Sequence, residues 1–173
     1  RVRRVAPGAQ AIEARFVHFV HVERALEGHE EARLAALLTY GEPAVEPRAG
    51  AAQFLVVPRL GTISPWASKA TDIARNTGLA AVLRIERGTL FSVTTKGRLA
   101  AGAGLAPNEA DAVAGVLHDR MTESVIDPAT DPARLFVELP GKPMQAVALR
   151  AEGRSALARA NVEMGLALSD DEV

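Results

Sequence analysis

The sequence predicts an α+β fold in which helices pack against an antiparallel sheet. Short β-branched and aromatic runs, such as residues 15–22 and 53–57, alternate with longer segments whose apolar residues recur at helical spacing. The chain has 173 residues, which suits one domain of ordinary size or one domain with a short appendage. Of these residues 48% are hydrophobic, which is enough for a core and excludes a mostly disordered chain.

Local signals place each element in turn. Residues 1–12 are basic and lack periodicity, so we expect a poorly ordered lead-in. Gly41 and Gly78 are placed to end the helices before them, and Arg87-Gly88 is a candidate turn between two strands of a hairpin. The predicted strands are residues 15–22, 53–57, 81–86, 90–94 and 122–126, the predicted helices are residues 28–39, 66–77 and 108–121, and the predicted loops include residues 42–51 and 96–107.

The order of these elements indicates the topology. From residue 53 to residue 126 it reads β-α-β-β-α-β, the split βαβ arrangement of a ferredoxin-like fold with two helices on one face of an antiparallel sheet. The strand and helix within residues 15–39 look like part of a second, similar unit that is incomplete. We therefore expect a ferredoxin-type domain over residues 1–126 as part of a doubled unit.

Residues 127–173 are predicted to form a small linker domain. Four prolines between residues 127 and 143 are typical of a connection between domains. Near the end, Ser169 and Glu172 have the spacing of a capping box, so we expect the linker domain to be truncated just as a further helix begins. The other predicted elements are a strand at residues 145–149 and a helix at residues 153–164 that ends at Gly165.

Composition excludes several classes of protein. The chain has no cysteine, which excludes a disulfide scaffold, a zinc-thiolate or iron–sulfur site and a cysteine nucleophile. Its net charge of -1 gives no case for nucleic acid or anionic lipid as a partner. No stretch is long and apolar enough to span a membrane, and no signal-peptide pattern follows Arg1. We expect a cytoplasmic protein that binds neither nucleic acid nor a membrane.

The sequence predicts no catalytic, cofactor-binding or metal-binding residue in this chain. His18 and His21 lie three apart on a predicted strand, so they point to opposite faces and cannot share a metal ion. His29 and His118 lie on predicted helices without a second ligand four residues further on. The HExxH, phosphate-loop and GxGxxG motifs are also absent from the sequence.

Residues 59–72 form the one dense polar segment, between a predicted strand and a predicted helix. A structural interpretation is that Ser64 caps the helix, Pro65 occupies its first position and Trp66 fills the core. A functional interpretation is that the helix N-terminus, together with a nearby arginine or lysine, binds an anion such as phosphate. The side chains singled out as substrate-proximal candidates are Thr62, Ser64, Trp66, Ser68, Lys69 and Thr71.

The segment Gly61-Thr62-Ile63-Ser64-Pro65-Trp66 is the most specific of several runs that occur in the order found in one family. Through them the chain resembles the N-terminal region of the large, single-chain formylglycinamide ribonucleotide amidotransferases, also called phosphoribosylformylglycinamidine synthases. Leu60 stands where a proline is usual, Ala67 stands where a second serine is usual, and residues 96–107 do not match closely. The matching runs are residues 16–20, 37–41, 61–66, 68–74, 84–88, 117–124 and 165–172.

The resemblance implies a place in purine biosynthesis. Enzymes of this family convert formylglycinamide ribonucleotide, ATP and glutamine into the amidine, ADP, phosphate and glutamate. Their N-terminal domain is similar to a fused, doubled form of a small subunit found in multi-subunit relatives, and a linker domain, an ATP-binding synthase core and a glutaminase follow it. The resemblance therefore implies that ATP and magnesium bind outside this chain, that the chain carries no cofactor, and that it is a piece of a longer protein.

The function expected from these observations is that of a non-catalytic scaffold, with the synthase and glutaminase domains of the same longer chain as partners. Alone, the chain should hydrolyse neither glutamine nor ATP. It should be marginally stable or self-associate, because an incomplete sheet leaves an edge that pairs with another chain. The alternative is a free-standing ferredoxin-like regulatory domain that binds an anion or metabolite at residues 59–72.

Overall fold

The computed structural model describes residues 1–41, 43, 50–95, 105–138, 140–141 and 143–173, in two compact units, Arg1–Leu139 and Pro140–Val173. The first unit holds helices and one four-stranded antiparallel sheet, which confirms the predicted α+β, ferredoxin-like class. Its strands are β1 (Ala9–Val22), β2 (Ala52–Pro58), β3 (Val82–Thr95) and β4 (Glu123–Ile126), and its helices are α1 (Val2–Val5), α2 (Gly28–Leu38), α3 (Pro65–Asn76), α4 (Pro107–Leu117) and a 3-10 helix, Pro132–Phe136.

The strand order in the sheet is β1-β3-β2-β4. β1 pairs with β3 along nearly its whole length, so the strand expected to belong to a second unit is part of the same sheet. The predicted hairpin around Arg87-Gly88 is wrong, because residues 82–95 form a single strand in which Gly88 lies opposite Val17. A Cβ atom on Gly88 would lie 2.9 Å from the carbonyl oxygen of Val56, so this glycine permits close packing of β2 and does not form a turn.

The N-terminal residues are ordered, contrary to the prediction for residues 1–12. Val2 and Ala6 are buried with Val113 of α4 in one hydrophobic cluster, and β1 already begins at Ala9. A four-residue helix has little stability of its own, so these contacts hold α1 in place. The predicted loops at residues 42–51 and 96–107 lie largely outside the described residues.

One face of the sheet, here called the helix face, carries two separate hydrophobic clusters. At one end α2 and α3 pack Leu34 and Ala74 against Ile85 of β3. At the other end α1 and α4 pack on Val93, which lies on the same side of β3 as Ile85. The half-buried Arg87 side chain projects from β3 between these two residues, next to Trp66 at the start of α3.

The opposite face, here called the second face, is covered by the 3-10 helix. Leu135 is buried against Leu55, Val57 and Leu90, and Phe136 packs beside it. Residues 127–139, which the sequence placed in the linker domain, therefore belong to the first unit. Their prolines shape a connection that folds back onto the sheet and does not lead away from it.

The second unit contains α5 (Leu149–Glu152) and α6 (Arg154–Met164), and the strand predicted at residues 145–149 is absent. Gly165 ends α6 in the left-handed conformation, as predicted. Ser169 and Glu172 form the reciprocal hydrogen bonds of a capping box, with the Ser169 backbone N–H donating to Glu172 Oε2 at 2.8 Å.

Candidate functional site

Residues 59–72 connect β2 to α3, and the start of this helix follows the structural interpretation of the sequence. Ser64 is the N-cap, because its Oγ accepts a hydrogen bond from the Ala67 N–H at 3.0 Å. Pro65 occupies the first helical turn, where the lack of an N–H costs nothing. Trp66 is half-buried: it packs against the cluster beneath α2 and α3 and keeps part of its ring accessible.

A buried carboxylate occupies the N-terminus of α3. Glu86 of β3 has no exposed surface, and it accepts hydrogen bonds from the Ser64 hydroxyl (2.8 Å) and the Ser64 N–H (3.3 Å). Arg84 pairs with the same carboxylate through Nε at 3.0 Å and also through Nη2. A helix N-terminus attracts negative charge, and here that charge is supplied by the chain's own glutamate. This arrangement argues against an external anion at the helix N-terminus.

The loop before α3 is held by the same pair. Arg84 Nη2 donates to the Thr62 carbonyl oxygen at 2.6 Å, and Thr62 Oγ1 donates to the Arg59 carbonyl oxygen at 2.6 Å. Thr62 therefore stabilises a turn of the loop while its side chain stays exposed. The Glu86–Arg84 pair joins this turn and the helix N-cap to one strand.

Polar side chains of α3 bind the edge of β3. β2 pairs with residues 89–93 of β3, so no strand of the described chain lies beside the first half of β3 on that side. Thr71 Oγ1 accepts the Ile85 N–H at 3.0 Å, and Arg75 donates to the carbonyl oxygens of Val82 and Leu83 at 3.2 and 3.0 Å. The helix thus satisfies backbone groups that a neighbouring strand would otherwise satisfy.

The six candidate residues do not converge on one site. Ser68 and Lys69 are exposed on α3, and their side chains make no hydrogen bond with another described residue that would give them a structural role. Instead the six candidates line different cavities. Thr62, Ser64 and Trp66 line one of about 460 Å³, Ser68 and Thr71 line one of about 590 Å³, and Trp66 and Lys69 line one of about 200 Å³.

A second constellation, which the sequence analysis did not predict, surrounds Arg87 on the helix face. The guanidinium carbon lies 4.3 Å from the ring centroid of Phe16 and 4.9 Å from that of Trp66. The rings of His18 and Tyr40 complete what we call the Arg87 cluster: His18 lies 5.7 Å from Trp66, and Tyr40 lies 6.1 Å from Phe16. Strand alternation places Phe16 and His18 on one face, but it gives no sign that Tyr40 or Trp66 approaches them.

Hydrogen bonds fix the orientation of the Arg87 guanidinium. Burial, with a smaller contribution from Arg87, lowers the pKa of His18 and favours its neutral form. In the neutral ring, Nε2 accepts a hydrogen bond from the Tyr40 hydroxyl at 2.8 Å. The Tyr40 oxygen in turn accepts a hydrogen bond from Arg87 Nη1 at 3.3 Å. The cluster combines a cation with exposed aromatic rings, a combination that can bind an anionic or aromatic group. Among the described residues, no group of three histidine, aspartate or glutamate side chains is placed to hold a metal ion.

Comparison with protein-family models matches residues 15–136 to the family described as formylglycinamide ribonucleotide amidotransferase N-terminal. The match covers more than half of the chain. The chain belongs to this family. The matched region takes in β1 from Arg15 onward, β2 to β4, the 3-10 helix, all six candidate residues and the whole Arg87 cluster. Among the described residues, no helix is both long and apolar enough to cross a membrane.

Proposed function

We propose that this chain is a non-catalytic scaffold and assembly module of phosphoribosylformylglycinamidine synthase, the ATP- and glutamine-dependent ligase of purine biosynthesis, acting in the cytoplasm. The observation that carries this proposal is the family match over residues 15–136. The partners are the synthase and glutaminase domains of the same enzyme, and ATP and magnesium are bound by the synthase. The module braces these domains so that ammonia released at one site reaches the other without escaping to water.

The internal use of polar groups supports a scaffold. Ser64 and Arg84 both bond to Glu86, and Thr71 bonds to the backbone of β3, so the densest polar segment stabilises the junction of α3 with the sheet. Buried networks of this kind fix one geometry when every member has a partner. The alternative, an anion-sensing regulatory domain, has less support because Glu86 occupies the helix N-terminus that would attract the anion.

Two assays test the proposal. The purified 173-residue chain should release no glutamate from glutamine and no phosphate from ATP above a buffer blank. In the intact enzyme, Glu86→Ala should raise the glutamate formed per amidine, because a loosened junction lets ammonia escape, while glutaminase activity itself persists. Activity of the isolated chain that survives repeated purification, or an unchanged glutamate-to-amidine ratio in a folded Glu86→Ala enzyme, would contradict the scaffold role.

A further inference from the structure

The Arg87 cluster lies between the two hydrophobic clusters of the helix face, and Trp66 at the start of α3 is one of its members. Successive side chains of a strand point to opposite faces of the sheet. The cluster's strand residues therefore all lie on the helix face, as Ile85 does; they are Phe16, His18 and Arg87. Helices α2 and α3 pack on one side of Arg87, and α1 and α4 pack on the other. A half-buried cation therefore lies on the helix face, between the two groups of described helices.

Among the described residues, the Arg87 guanidinium keeps N–H donors that no hydrogen bond uses. Two aromatic rings stack near it, and one N–H goes to the Tyr40 hydroxyl. Arginine has five N–H donors arranged in a planar fork that suits a carboxylate. Within the described part of the chain, no aspartate or glutamate lies within ion-pairing distance of Arg87. The cation is thus oriented by its own chain and lacks a counter-charge there.

Exposed apolar side chains surround this cation. Phe16 is 51% exposed, Tyr40 43%, Ile63 55% and Met121 76%. Cavities of about 460 and 600 Å³ adjoin the stack and share Thr89 as a wall. Arginine, tyrosine, tryptophan and methionine are enriched at the centres of protein interfaces, where a few anchors carry most of the binding free energy.

We propose that the Arg87 cluster docks a segment of the synthase or glutaminase domain of the same enzyme that places an aspartate or glutamate carboxylate on the Arg87 guanidinium and apolar side chains on Phe16 and Tyr40. This inference rests on the proposed function and specifies its contact surface. A small phosphate ligand fits less well. The N–H of Ser64 that would help bind it already donates to Glu86.

The test uses the intact amidotransferase that contains this chain. Phe16 is replaced by the photo-reactive residue p-benzoylphenylalanine, and cross-linked peptides are identified by mass spectrometry after irradiation. We expect a peptide of the synthase or glutaminase domain with an acidic residue near the attachment point. Adding Arg87→Gln should lower the cross-link yield by about tenfold or more, and Arg87→Lys should lower it less, because lysine keeps the charge but not the planar fork.

A matched control separates failure of the docking site from failure of the scaffold function. Arg134→Gln removes an exposed arginine from the 3-10 helix on the second face and should leave the Phe16 cross-link unchanged. The photo-reactive residue is also placed at Arg134 to report contacts of the opposite face. Cross-links from position 134 alone would overturn the docking site while the scaffold stands. Cross-links to another domain from neither position would overturn both.

Two further results would reassign the occupant and so overturn the inference. A cross-link from position 16 to a second copy of this chain would make the surface a self-interface. Stabilisation of the isolated 173-residue chain by millimolar inorganic phosphate, lost in Arg87→Gln and retained in Arg134→Gln, would make it a small-anion site. Neither is expected, because the exposed apolar side chains of Phe16, Ile63 and Met121 lie beside the cluster and no described carboxylate pairs with Arg87.

Discussion

Ser64 shows how one side chain joins the helix cap to the sheet. Its oxygen accepts from Ala67 while its hydroxyl donates to the buried Glu86. Ser64→Ala should therefore lower the free energy of unfolding by about 1–2 kcal/mol, measured by urea denaturation. Ser68→Ala, at an exposed position on the same helix, is the matched control and should change it by less than about 0.5 kcal/mol. Equal effects of the two variants would contradict the role given to the cap.

A complementary prediction at the same scale concerns turnover. We expect Thr62→Ala and Lys69→Ala to lower synthase turnover in the intact enzyme, because both side chains are exposed and we predict that their segment faces the synthase active site. Lys69→Ala should do so with little loss of stability, whereas Thr62→Ala also removes the hydrogen bond to the Arg59 carbonyl oxygen. Ser64→Ala should do the reverse of Lys69→Ala. Unchanged synthase kinetics in both variants would show that the segment is only a packed corner of the domain.

Gly88 is required where two strands and an aromatic ring converge. A Cβ atom there would lie 2.9 Å from the Val56 carbonyl oxygen and 3.3 Å from the Phe19 ring. Gly88→Ala should destabilise the chain by about 1–3 kcal/mol, because the backbone of β2 must move. Gly115→Ala, on α4 with open space around it, should be neutral or stabilising by up to about 1 kcal/mol. Thermal unfolding of both variants checks the contrast, and equal melting temperatures would refute it.

At the scale of elements, α3 serves as a substitute strand along β3. Thr71→Val removes the acceptor for the Ile85 N–H and leaves a buried donor unpaired, which should cost about 1–3 kcal/mol. Thr71→Ser keeps the hydroxyl and should recover most of the loss. Amide hydrogen exchange at Ile85 reports the bond directly, and it should quicken in Thr71→Val. Protection equal to that of the wild type would show that this bond does not hold the edge.

Helix α2 carries a pH-sensitive ion pair at its start. Arg24 binds both oxygens of Glu30, at 2.8 and 2.9 Å, and the Glu27 N–H adds a third bond. These interactions, the Arg24 bond foremost, lower the pKa of Glu30 to about 2. Because the folded pKa lies below the unfolded one, the stabilisation is complete above about pH 4.5 and disappears as the pH falls toward 2.

The unfolding free energies of the wild type and of Glu30→Gln, measured from pH 7 to pH 2, check this pH dependence of the ion pair. The difference in unfolding free energy should be largest near neutrality and should vanish at the acid end. Arg24→Gln removes the other partner and should show the same profile. A difference that stays constant with pH in both variants would exclude the ion pair as its source.

On the scale of the whole chain, β1 leaves one edge of the sheet without a partner among the described residues. It has 14 residues, and Ile12 on it is 44% exposed. Long apolar edges invite pairing with another chain, so we expect the 173-residue chain to self-associate at high concentration. Sedimentation velocity across a concentration series measures this, and Ile12→Lys should shift the association to higher concentration. A strictly monomeric wild type would contradict the prediction.

The sequence alone determined those elements that depend on residues close together along the chain. The hydrophobic periodicity of α2 and α3, the Ser64-Pro65 helix start, the Gly165 helix end and the Ser169–Glu172 capping box were all predicted from sequence and are present. Each depends on hydrogen bonds or dihedral angles set by near neighbours along the chain. The strand at residues 15–22 was identified for the same reason, although β1 begins earlier, at Ala9.

The tertiary structure alone decided the features that depend on distant residues. A glycine within an apolar run fits a turn as well as a close approach of strands, and only the position of β2 makes Gly88 part of one long strand. The 3-10 helix and α1 take their places from partners far along the chain. The Arg87 cluster joins residues from β1, the end of α2, α3 and β3. The spacing of these residues along the sequence does not predict that they are in contact. Local propensity fixes what a segment forms, whereas packing fixes which segments meet.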